Sequence, residues 1–222
     1  MLLKHLTPII DAELICLGVA IVCLFKNKSK VWRSMILFML ITCLTELGGL
    51  YIRRVLNQGN DWLYNIYTIF ELGFPSLMFA HLLGKYRNSK PLILTGLAVT
   101  IFIYIIELLG YHILGAQDLA ISVMSVCFVV YSLVYYYLII KDETYINLKF
   151  SAAFWWVSGA LFYYFGSTAN NLFFKIIFEQ NQVTKGGVSA ASLLSYNIST
   201  ALNIMMYVCW SYSFICKKWL TK

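Results

Sequence analysis

Charged residues are scarce in this sequence: Asp, Glu, Lys and Arg make up 12% of its 222 residues, against 60% apolar. So little charge cannot cover the surface of a soluble domain, which excludes the ordinary globular classes. Prolines number three and histidines three. Proline-rich linkers are therefore not expected, and His5, His81 and His112 fall at different ends of different apolar runs, away from any metal-ligand spacing. The cysteines Cys16, Cys23, Cys43, Cys127, Cys209 and Cys216 form no CxxC pair and sit inside apolar runs, where they read as buried free thiols. Signatures of zinc proteases, serine hydrolases, P-loop enzymes and lipid anchors are absent. The sequence thus predicts no enzyme, no metal and no cofactor. A paired-carboxylate intramembrane hydrolase on Glu46 and Glu71 is the one catalytic arrangement left open.

What the chain has is apolar length, with a mean hydropathy of +0.74. Crossing the hydrocarbon takes about 20 apolar residues per helix, and a lipid-exposed backbone must bond within itself, so helices follow. Apolar runs between charged or turn-rich breaks predict spans at 8–25, 34–52, 62–83, 91–110, 117–140, 150–178 and 190–216. The expectation is an all-α, polytopic membrane protein, a bundle of seven transmembrane helices forming a single transmembrane domain over residues 1–222. Asp11 and Glu13 interrupt the first run, which argues for a retained helix over a cleaved leader.

The net charge of +7 does not point to nucleic acid, because the basic residues lie in short clusters between apolar runs. One set of connections and the C-terminal tail hold Lys26, Lys28, Lys30, Arg33, Lys85, Arg87, Lys90, Lys141, Lys149, Lys217, Lys218 and Lys222. The other set holds only Lys4, Arg53, Arg54, Lys175 and Lys185. The positive-inside rule then places the N-terminus outside and the C-terminus in the cytoplasm. Trp32, Trp62 and Trp219 fall at predicted membrane edges, as belt residues do. In the sixth span, Ala152–Ala153, Gly159–Ala160 and Gly166–Ser167 recur at heptad spacing, which predicts close backbone approach by a central helix. At its predicted length a tilt, or a break near residues 166–171, is expected.

Ionisable groups inside a span cost roughly 2.5–3.5 kcal/mol at the centre, so they usually face the bundle interior. Here they fall on stripes: Thr42, Glu46 and Gly49 with Arg53 beyond; Tyr64, Thr68, Glu71 and Pro75; Thr100, Tyr104 and Glu107. The later spans continue with Ser122 and Ser125, with Tyr163 and Asn170, and with Tyr196, Ser199, Asn203 and Tyr207. These stripes predict a polar, aromatic-lined cavity opening outward. Its candidate ligand-binding or coupling residues are Glu46, Glu71, Arg53, Asn65, Glu107, Tyr163, Asn170, Tyr196 and Asn203. An ion pair is expected between Glu46 and Arg53. Asp11, Glu13 and Asp118 read instead as interfacial groups with no part in the site. The plain alternative for the whole set is interhelical hydrogen bonding, at about 0.6 kcal/mol per bond. Pro75 frees a backbone carbonyl near Glu71, which suits a ligand or a simple kink equally.

The seventh span contains no Lys, so the chain is not an opsin, and the Asn203–Tyr207 stretch lacks the proline of the receptor NPxxY motif. The run from Glu46 to Glu71, with its Trp62-Leu63-Tyr64-Asn65-Ile66-Tyr67 core, resembles a pattern in uncharacterised bacterial seven-helix membrane proteins, some of them associated with histidine-kinase signalling. That resemblance implies a multi-pass protein of the bacterial inner membrane and a sensory role. The leading expectation is a receptor-like sensory or accessory module that binds a small polar or cationic ligand and acts through a cytoplasmic signalling protein. The lipid bilayer is its constant partner, and a homo-oligomer is compatible with the pattern. The alternative is a carrier or channel for a small cation, proton or polar metabolite.

Overall fold

The computed structural model describes residues 7–86, 88–111, 118–142, 147–180 and 190–219, and their side chains except at 111, 174–180 and 190–191. Lys4, Arg87, Lys185 and Lys222, four of the charges used for orientation, lie outside the described residues, as does the side chain of Lys175. Among the described residues there is no strand. Seven α-helices follow one another: α1 (Pro8–Leu24), α2 (Lys30–Arg54), α3 (Asp61–Leu83), α4 (Lys90–Tyr111), α5 (Asp118–Lys141), α6 (Ala152–Gln180) and α7 (Ala190–Trp219). Thr7 caps α1 through its hydroxyl, ahead of Pro8 at the first helical position, where a missing N–H costs nothing. Ser151 does the same for α6, accepting from Phe154 N–H after a 3-10 turn at Leu148–Phe150.

Helices α2, α3, α4, α5 and α7 are long and apolar enough to cross a membrane. Large apolar side chains also face outward, among them Leu109 at 76% exposure and Ile140 at 84%. A soluble monomer does not tolerate so much contiguous apolar surface, and lipid removes the penalty. The features fit a helical, multi-pass membrane protein.

Neighbour contacts run α1–α2, α2–α3, α3–α5, α5–α6, α6–α7 and α7–α1, which closes a six-helix ring. Helix α4 packs chiefly against α3 and α5, outside that ring. The tightest seam is α6–α7. A Cβ on Gly159 would lie 2.9 Å from Cys209 Cβ and 3.2 Å from the Met206 carbonyl oxygen, so only glycine permits this approach. Ser213 Oγ donates to the Ala152 carbonyl on the same seam, and the small-residue stripe of α6 does what its spacing predicts.

One expectation needs correction, and of the tilt or break expected in α6 the break is not found. Helix α6 runs unbroken through residues 166–171, because hydroxyl and amide groups there bond to its own turns and to α7 and leave no backbone gap. Trp32 is not a belt residue: it is 1% exposed, packed inward beneath the Lys217 ammonium at 5.3 Å. Trp62 and Trp219 are exposed, as expected of edge residues.

Candidate functional site

Three glutamates reach the middle of the ring from three different helices, and each carboxyl is met by one tyrosine hydroxyl from a neighbour. Tyr207 on α7 donates to Glu13 Oε1 on α1 at 2.9 Å. Tyr64 on α3 donates to Glu46 Oε2 on α2 at 3.2 Å, and Tyr164 on α6 donates to Glu71 Oε1 on α3 at 3.1 Å. Gly49 makes the middle pair possible, since a Cβ there would come within 2.8 Å of the Tyr64 hydroxyl. A fourth bond, between Tyr67 and Thr42 at 2.9 Å, ties α3 to α2 again.

These groups line one chamber of about 280 Å³, to which all six ring helices contribute and α4 does not. Its wall also includes Thr68, Ser125, Tyr163, Ser167 and Asn203. Among the described residues no Lys, Arg or His lines it. Pro75 lacks an N–H, so the carbonyl deprived of its helical donor is that of Glu71 itself.

Toward the α2–α3 connection a second hollow of about 700 Å³ opens among Thr7, Arg53, Arg54, Asn57, Asn60 and Tyr196. Ile9, Glu46 and Tyr64 belong to the walls of both spaces, so the Glu46–Tyr64 pair stands between vestibule and chamber. At the other end the chamber is floored by rings. Trp210 stacks on Trp156 with centroids 5.5 Å apart, Phe79 meets Trp156 edge-on at 5.1 Å, and Phe38 meets Trp210 at 6.1 Å. Phe128 bridges Phe79 and Tyr164. All five floor rings are at most 2% exposed.

Beyond the floor, at the α1–α2 connection, lies a groove of about 1180 Å³ with an apolar wall of Ile21, Val22 and Phe25 and a rim of Lys26, Lys28, Lys217 and Lys218. Lys218 Nζ donates to the Val22 carbonyl at 3.0 Å, joining α7 to α1 a second time. Of the helix pair that holds Glu13 and Tyr207 at the chamber, α7 thus also carries Lys217 and Lys218 of the basic rim, and α1 leads directly into Lys26 and Lys28.

Of the nine residues proposed from spacing, Glu46, Glu71, Tyr163 and Asn203 line the chamber, and Arg53 and Tyr196 line the vestibule. Glu46 and Glu71 therefore share one cavity. The Glu46–Arg53 ion pair does not form: seven residues of helix separate them by roughly 10 Å along the axis, and Tyr64 is the nearer partner. Glu107 belongs elsewhere. Its two carboxylate oxygens accept Leu119 N–H at 3.0 Å and Ala120 N–H at 2.7 Å, so it caps α5 from the end of α4. Glu107→Ala is expected to cost about 1–2 kcal/mol, with Glu107→Gln in between, measured by thermal unfolding in detergent. Asn170 ties α6 to α7 through Ser195 and Ser199, and Asn65 is buried outside the chamber lining, its carbonyl taking the Tyr104 hydroxyl.

Sequence reasoning missed Glu13, which lines the chamber at 2% exposure. Its signal was available: Glu13 lies at helical spacing from Cys16, Leu17 and Ala20, the face of α1 that turns inward. Compared with family models, with curated proteins and with solved structures, the chain matches none, so the site's geometry alone must carry its function.

Proposed function

We propose that this chain is a seven-span receptor-like module of a cell membrane, N-terminus outside and C-terminus in the cytoplasm, which binds a small cationic or polar solute and passes its occupancy to a partner. The observation that carries this reading is a chamber of three carboxyls, open through a vestibule at one end and closed by stacked aromatic rings at the other. In the orientation given by the basic residues, the vestibule faces outward and the lysine-rimmed groove faces the cytoplasm. Helices α1 and α7 touch both, through Glu13–Tyr207 above the floor and Val22–Lys218 below it. A solute that competes for Glu13 changes the packing of that pair, and the groove between their inner ends changes with it. The basic rim suits an acidic surface on a signalling protein or anionic lipid.

A carrier would need a continuous polar path through the bundle, and the packed aromatic rings under the chamber favour the closed reading. Thermal unfolding of the detergent-purified protein against a library of amines, polyols and metal cations tests the reading. A ligand at 100 times its Kd adds about 2.7 kcal/mol of stability. The expected result is a hit that disappears in Glu71→Gln, together with no flux of that solute in proteoliposomes. Flux abolished by Glu71→Gln would make the protein a carrier instead.

A further inference from the structure

We infer that the lysine-rimmed groove at the α1–α2 connection is a binding site for one anionic phospholipid, with the headgroup phosphate among Lys26, Lys28, Lys217 and Lys218 and an acyl chain along the outer flank of α1. This goes beyond the receptor reading and does not depend on what the chamber takes.

Charge is the first argument. The groove lining contains four lysines and no acidic side chain, so it attracts an anion. Two of the four are already held in place. The Lys217 ammonium sits over the Trp32 ring at 5.3 Å, and Lys218 gives one of its three N–H bonds to the Val22 carbonyl. Ordering a lysine costs side-chain entropy, and part of that cost is met here before an anion arrives. Lys26 and Lys28, on the α1–α2 connection, are exposed. Ser29 also lines the groove and does not cap α2 through its side chain, so the first N–H groups of that helix add to the same positive end.

The apolar wall separates a lipid from other anions. Exposed residues on α1 recur at Leu14, Ile15, Gly18, Ile21, Val22 and continue to Phe25, which is one face of a helix. Val22 and Phe25 are each 67% exposed. From Leu14 to Phe25 this track runs roughly 17 Å, about the depth of one leaflet of a ~30 Å hydrocarbon core, and it leads directly into Lys26 and Lys28. Trp219, exposed and 4.6 Å from the Lys218 ammonium, is a belt residue that sets the lysines at headgroup depth. A track apolar over one leaflet and cationic at its end matches a lipid, whose chain lies in hydrocarbon and whose phosphate lies at the interface. A free phosphate would leave the track unused, and an acidic protein surface would have to reach Ile21 and Val22, a turn inside the end of α1.

The test uses the full chain in phosphatidylcholine nanodiscs with and without phosphatidylglycerol, read by unfolding midpoint, and in mild detergent, where native mass spectrometry counts the lipids retained. One phosphatidylglycerol is expected to stay bound and to raise the midpoint; phosphatidylcholine and soluble glycerol 3-phosphate are not. Lys26→Gln with Lys28→Gln alters two exposed side chains of a connection, so the fold is retained, and the pair is expected to weaken phosphatidylglycerol by about ten- to thirtyfold. Phe25→Ser keeps every lysine and interrupts the track, with a smaller loss expected. Lys90→Gln with Lys141→Gln removes the same charge outside the groove and is expected to leave binding unchanged. Equal weakening by the two lysine pairs would reduce the effect to diffuse charge and overturn the site. Glycerol 3-phosphate bound as tightly as the lipid would overturn the acyl track. A poly-glutamate peptide bound in preference to phosphatidylglycerol, and released by Lys26→Gln with Lys28→Gln, would give the groove to an acidic protein instead.

Discussion

Trp210→Ala is expected to destabilise the bundle by about 3–5 kcal/mol. The indole is 1% exposed, stacks on Trp156 at an interplanar angle of 5°, touches Phe38 and Tyr207, and donates its N–H to the Trp156 carbonyl at 3.1 Å. Truncation removes those ring contacts at once, together with the indole's hydrogen bond to α6. It also opens the floor, so the variant is expected to admit small cations across proteoliposomes that the wild type holds tight. Trp210→Phe keeps a ring in the stack and loses only the N–H, so it should fall well short of that loss. Denaturant or thermal unfolding of the three proteins, with an ion-leak assay beside it, measures both effects. A Trp210→Ala protein as stable and as tight as wild type would remove the floor from the argument.

Gly159→Leu is expected to cost about 3 kcal/mol, at the top of the usual range for overpacking. Its added carbons would meet the Cβ of Cys209 at 2.9 Å and the backbone carbonyl of Met206 at 3.2 Å, atoms that cannot rotate away. Gly166 offers an instructive contrast. A Cβ there comes closer still, 2.6 Å, but to the tip of Leu202, which has other rotamers. Gly166→Ala is therefore expected to cost within about 1 kcal/mol despite the shorter contact. Unfolding midpoints in the reverse order would mean that α6 and α7 do not meet as described.

Much of the architecture is legible in the sequence, because lipid imposes one period and one length. The predicted spans match the observed helices to within about four residues, and the largest discrepancy has a cause. Helix α2 begins at Lys30, four residues before its apolar run, since Lys30 and Arg33 can be helical without being apolar. The site was legible only by stripe. Glu46 and Glu71 stand out because each lies among polar residues on its own helix. Periodicity along one helix cannot say which tyrosine on another will meet a carboxyl, so the pairs Glu13–Tyr207 and Glu71–Tyr164 were invisible. Glu107 shows the opposite failure: it sits on a polar stripe, yet its partners are two backbone N–H groups of the next helix, which no side-chain pattern records.

The seam between α1 and α7 has a consequence in time. The Glu13–Tyr207 bond joins residues 194 apart in sequence, so a ribosome that has made α1 must go on to make α7 before that carboxyl meets its hydroxyl. At several to about twenty residues per second, this is an interval of ten seconds or more. Throughout it, α1 carries a glutamate in search of a partner. The wait falls on every molecule synthesised, so whatever shelters α1 during those seconds, a lipid headgroup, water at the membrane edge or an insertion factor, takes part in building this protein as surely as its own residues do.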